Sequence, residues 1–91
     1  MTLHLEPTPR DRMRGTVCDI IFTVSAHQIA CDRFPLFLAL SEDEVLRVAE
    51  LTEEEFGITI PMASLMKFAR LRGSLGDLLD IIEEAQNARA Q

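Results

Sequence analysis

Ser41, Glu42, Asp43 and Glu44 stand in a row, and Glu50, Glu53, Glu54 and Glu55 follow before Gly57. A hydroxyl beside so many carboxylates raises two kinds of chemistry: proton transfer by paired acids, or modification of the serine. The first does not fit the spacing. Successive acids on a helix point in different directions and form a solvated face. The sequence offers no Ser/His/Asp set, no Gly-rich phosphate loop and no nucleophile paired with a base, so no catalytic residues are assigned and an enzyme is not expected. His4 and His27 have no acidic or thiol partner at ligand spacing, so no metal site is expected. Cys18 and Cys31 are too few for a disulfide framework and form no Cys-x-x-Cys pair, which points to reduced thiols.

Two uses remain for the stretch. Ser41 followed three residues later by Glu44 is a capping-box pattern, in which each side chain satisfies an orphan N–H of a first helical turn. Such a serine is also accessible to modification. The acids form a surface: from Ser41 to Gly57 seven of them face the single cation Arg47, as much net negative charge as the whole chain carries, −6. That field repels nucleic acid and anionic lipid and attracts a basic protein surface. Glu42, Asp43, Glu44, Glu50, Glu53 and Glu54 are therefore the candidate partner-binding residues.

The elements that must hold these groups are helical. Val45, Val48, Ala49, Thr52 and Phe56 fall on one face of a 3.6-residue period, and Gly57 supplies a C-terminal cap. Val17, Ile20, Ile21 and Val24 repeat the same offsets, although VCDIIFTV is rich in β-branched residues and could pass for a buried strand. Met62, Leu65, Met66 and Ala69 mark a third stripe that Gly73 should end, with Lys67, Arg70 and Arg72 as a basic face along it. Ser74 can cap a last helix whose buried stripe is Leu75, Leu78, Leu79 and Ile82. Between the first and second helices, Phe34, Leu36, Phe37, Leu38 and Leu40 are too many apolar residues for a solvated loop. They fill the core or, if left exposed, would pair two copies of the chain.

At 91 residues the chain is one domain; 47% of it is hydrophobic but only 5% aromatic, so aliphatic packing dominates. Pro7, Pro9, three arginines and Gly15 give no helical stripe, and residues 1–15 read as a flexible N-terminal arm in which Leu3 and Leu5 could form a short extended segment. Residues 88–91 read as a frayed tail. No apolar run approaches the roughly 18–20 residues that span a bilayer, and the start lacks the apolar core of a secretory signal, so a cytoplasmic protein without membrane contact is expected.

AELTEEEFGITIP, residues 49–61, resembles the acyl carrier protein family, whose second helix ends in a Glu-rich turn, Phe-Gly, an apolar pair and Pro. In the same register Phe34, Leu38 and Ala39 match the family's Phe, Leu and Gly in the preceding loop. Ser74-Leu75-Gly76-Asp77-Leu78-Leu79-Asp80-Ile81-Ile82 resembles its last-helix pattern. The resemblance covers residues 17 to 85 and is strongest from 34 to 61. It implies an all-α four-helix bundle with a long apolar loop between helices 1 and 2, helices near 16–29, 42–56, 61–72 and 74–87, and a domain over 16–87. One departure matters most. The family attaches phosphopantetheine to the Ser of Asp-Ser-Leu at the start of the second helix, and here those positions hold Ser41, Glu42 and Asp43. A carboxylate cannot form that phosphodiester. The resemblance thus implies a carrier-like module of fatty acid or polyketide metabolism that presents its acidic helix to basic partner enzymes and carries no cofactor. The alternatives are a working acyl or aminoacyl carrier with 4′-phosphopantetheine on Ser41 in a shifted register, and a helical dimerisation module unrelated to carriers.

Overall fold

Three helices begin with the same device, a hydroxyl and a carboxylate three residues apart that cap each other's backbone N–H. The computed structural model describes residues 7–29 and 31–90. Within these, α1 spans Pro9–Ser25, α2 Glu42–Phe56, α3 Met62–Arg70 and α4 Leu75–Ala90, with a 3₁₀ turn at Leu36–Leu38. Thr8 and Asp11 close the box on α1 and Ser41 and Glu44 that on α2. On α4, Asp77 N–H donates to Ser74 Oγ at 3.2 Å and Ser74 N–H to Asp77 Oδ2 at 2.9 Å. Each cap stabilises its helix by about 1 kcal/mol. Only α3 starts without a side-chain cap, on Pro61. Among the described residues the sole β pairing is one isolated bridge, Pro35 with Ser74, so VCDIIFTV is helix and not strand.

The first helix starts earlier than the sequence implied. Pro9 and Gly15 read as breakers, but Pro9 sits at the first helical position, where its missing N–H costs nothing. Residues 9–15 of the expected arm are therefore helical; residues 1–6, with Leu3, His4 and Leu5, lie outside the described residues. The buried stripe shifts accordingly, to Met13, Val17 and Ile21, while Ile20 and Val24 are half-buried. The helix ends at Ser25 instead of 29 because Ala26 turns left-handed (φ 60°) and donates its N–H to the Phe22 carbonyl. At the other terminus the tail expected to fray from residue 88 is helical to Ala90. Arg89 Nη1 donates to the Gly57 carbonyl at 2.7 Å, which ties the last turn of α4 to the C-terminal cap of α2; Gln91 lies outside the described residues.

One core runs through the helices. Val45, Val48, Ala49 and the fully buried Thr52 come from α2, and Leu75, Leu78, Leu79 and Ile82 from α4, with Leu36, Leu40, Ile58, Ile60 and Phe68 filling between. Burying each large side chain contributes roughly 1.5–3 kcal/mol. In the 34–40 segment Leu36 and Leu40 are buried and Leu38 is 76% exposed. The segment is stitched to the start of α4: Leu36 N–H donates to the Gly73 carbonyl, Leu75 N–H to that of Phe34, and Gly76 N–H to that of Asp32.

Two details of α3 differ from expectation. Gly73 does not end the helix; α3 stops at Arg70, and Arg72 takes the left-handed conformation (φ 52°). Gly73 is required for another reason, since a Cβ there would overlap the Phe68 ring. The stripe Met62, Leu65, Met66, Ala69 is not the core face either. Phe68 is the buried residue, and Met62 and Met66 are 64% and 66% exposed. No helix among the described residues is long and apolar enough to cross a membrane.

Two arginines of α1 close four acids into the fold. Arg14 forks onto Asp32, Nε to Oδ1 at 2.6 Å and Nη2 to Oδ2 at 2.8 Å, and its Nη1 meets Asp11 at 2.7 Å. Arg10 pairs with Asp80 and Glu83 at 2.9 Å and donates to the Gly76 carbonyl. The Arg14 guanidinium holds the carboxyls of Asp11 and Asp32 below the usual aspartate range.

Candidate functional site

Ser41 sits at the N-cap of α2 with extended backbone (φ −74°, ψ 167°). Its Oγ accepts from Glu44 N–H at 3.2 Å, and its own N–H donates to Glu44 Oε1 at 2.9 Å. The hydroxyl is thus held by the helix start, although the residue is exposed.

The six acidic candidates separate into two groups. Glu44 is engaged in the cap, and the Glu53 carboxylate accepts from Ile60 N–H at 2.9 Å, fastening the chain beyond Gly57 back onto α2. Both are half-buried and serve the fold. Glu42, Asp43, Glu50 and Glu54 are exposed. Glu50 meets Arg47 at 3.2 Å, an exposed pair of little stabilising effect. Glu42, Asp43 and Glu54 have no ion pair or side-chain hydrogen bond among the described residues; Glu54, with Glu55, faces Asp19 and Thr23 of α1 across a shallow groove. The structure thus brings Glu42 and Asp43 together at the first turn, where the positive end of the helix dipole favours them, and sets Glu54 apart, three turns along.

A feature absent from the sequence reading lies beside Glu42. An apolar groove of about 160 Å³ runs between α2 and α3, lined by Phe37, Leu46, Met62, Leu65 and Met66, with Glu42 at its edge. The Phe37 ring packs on Phe68 with centroids 5.7 Å apart, and the Arg72 guanidinium lies 5.7 Å from the Phe37 centroid. The signal was present in the sequence as two methionines on one stripe, flexible side chains suited to adaptable surfaces. What was lacking was Phe68 as the true anchor of α3.

Comparison of the chain with protein-family models, with curated proteins and with solved structures finds no match.

The remaining reactive groups are not part of this constellation. Cys18 Sγ donates to the Ile29 carbonyl at 3.4 Å, and burial pushes its thiol up, away from the thiolate a nucleophile needs. Cys31 is exposed and free, and His27 is exposed. The geometry at the start of α2 suits recognition: two free carboxylates at a helix N-terminus, beside an apolar slot wide enough for one side chain.

Proposed function

We propose that the protein is an acyl-carrier-like adaptor of the four-helix carrier type, without the prosthetic arm. It acts in the cytoplasm on enzymes of acyl or thioester metabolism, and offers them the acidic first turns of α2. One observation carries this reading. At the position where the family resemblance expects the modified serine stands Glu42, exposed, with Asp43 next to it and an apolar groove beside it. Meanwhile Ser41 is held in its capping box by Glu44. A carboxylate at the edge of an apolar slot, with a second beside it in sequence, fits a basic surface carrying one apolar anchor, where charge sets the encounter and the slot sets the fit.

Titration against a carrier-recognising ketosynthase tests the proposal. Binding should appear at low salt and weaken as salt rises, because exposed charge pairs are screened beyond about 10 Å at 0.1 M. Glu42→Lys/Asp43→Lys should weaken it by roughly tenfold or more, about 1.4 kcal/mol. Binding indifferent to both salt and the double substitution would sink the proposal.

The second reading, a carrier loaded on Ser41, is favoured by the exposure of that residue. It requires an Oγ lone pair to attack the phosphate of coenzyme A, with the hydroxyl proton passing to a base on the transferase and adenosine bisphosphate leaving, although the oxygen accepts from Glu44 N–H.

A further inference from the structure

The face around the groove is built with its two charge signs on opposite sides. Leu46, at 44% exposure, stands on the α2 side, with Asp43 three residues before it and Glu50 four after, on the same face of the helix. Met66 stands on the α3 side with Arg70 four residues after it, and Arg72 covers Phe37 at the groove's end. An exposed apolar strip of Leu46, Met62 and Met66 therefore has a net acidic margin on α2, where Asp43 is free among the described residues and Glu50 pairs with Arg47, and arginines along the other.

We infer that this face binds a second copy of the chain, as an isologous dimer. A two-fold axis running along the strip lays apolar side chain on apolar side chain. The same rotation places each copy's Asp43 and Glu50 margin over the other's Arg70 and Arg72 margin. Both margins are matched at once by one operation. The methionines add side chains that adapt to their own image. Three exposed apolar side chains per copy make a small patch, so the dimer is a weak one. It differs from a contact through residues 34–40, of which Leu38 alone remains largely exposed. The inference does not rest on the partner reading, since the face could pair with itself whatever else the acids meet.

Sedimentation of the full chain from about 10 µM to about 1 mM, the range of weak interfaces, tests it. The mass should move from monomer to dimer within that range. Asp43→Lys/Glu50→Lys and Arg70→Glu/Arg72→Glu should each raise the midpoint about tenfold or more. An equimolar mixture of the two should return it to the wild-type value, because the heterodimer again opposes unlike charges on both margins. Met66→Lys, which disrupts the strip itself, should also raise the midpoint, and circular dichroism checks that every variant keeps its helix content. A wild type that stays monomeric throughout overturns the inference. So does a dimer that neither reversal nor Met66→Lys weakens, or a mixture no stronger than its components.

Discussion

Charged residues on the two sides of the molecule have opposite fates. On the α1 and α4 side, Arg10 and Arg14 gather Asp11, Asp32, Asp80 and Glu83 within hydrogen-bond distance and lock the first helix to the segment before α2 and to the last helix. On the α2 and α3 side, Glu42 and Asp43 meet no cation among the described residues, and the neighbouring apolar strip is as open as they are. A helix that needed those acids only for stability would need fewer of them, since the capping box already uses Glu44 and the C-terminal clip already uses Glu53. The excess is what points to recognition.

Truncation on the two sides should separate them most sharply. Ile82→Ala, at a fully buried position of α4, should cost about 2–5 kcal/mol by the lost transfer energy and the cavity left behind. Met66→Ala, on the open strip, should stay within about 0.5 kcal/mol of wild type. Chemical denaturation measures both, and equal losses would erase the distinction. A smaller effect of opposite sign is expected inside α2. The Thr52 hydroxyl is fully buried and has no hydrogen-bond partner among the described residues. Thr52→Val removes an unsatisfied polar group while keeping the branched shape, and should stabilise the protein by about 1 kcal/mol. A loss of stability there would reveal a partner for the hydroxyl.

The sequence reading located the second helix well because every local signal agreed there: a capping box, an apolar stripe, a C-terminal glycine with positive φ. It misjudged residues 9–15 because Pro9 and Gly15 are ambiguous alone. Proline breaks a helix in its interior but begins one at its first position, and the long-range partners of Arg10 and Arg14 decide which. The tail failed for a related reason, since Arg89 finds its acceptors more than 30 residues away. Phe56 was expected in the core as the last member of the α2 stripe, but at the helix end it is only half-buried. The site was legible in part. Glu42 and Asp43 were legible as acids of a first helical turn, but not as different from Glu44. That Glu44 and Glu53 would be engaged, and that the Met62–Met66 stripe would face outward, depended on which side of α3 Phe68 anchors.

The clasp should also show itself in acid. Asp11 and Asp32 have folded pKa values depressed by Arg14, below the roughly 3.9 of an unfolded aspartate. Their stabilisation is therefore present above the unfolded value and is lost as pH falls through the folded ones. Thermal melts from about pH 7 to about pH 2 should show this acid limb, and Arg14→Ala should flatten it. An unchanged limb would mean that the forked pair does not form in solution.

The proposal requires that the start of α2 offer carboxylates where a carrier would offer a serine. The decisive experiment is intact mass after incubation with a phosphopantetheinyl transferase and coenzyme A. The wild type should keep its mass unchanged. Ser41→Asp/Glu42→Ser, in which Asp can still cap the helix, should be partly modified. A wild type that gains one phosphopantetheine, with the gain abolished by Ser41→Ala, would instead make the protein a working carrier.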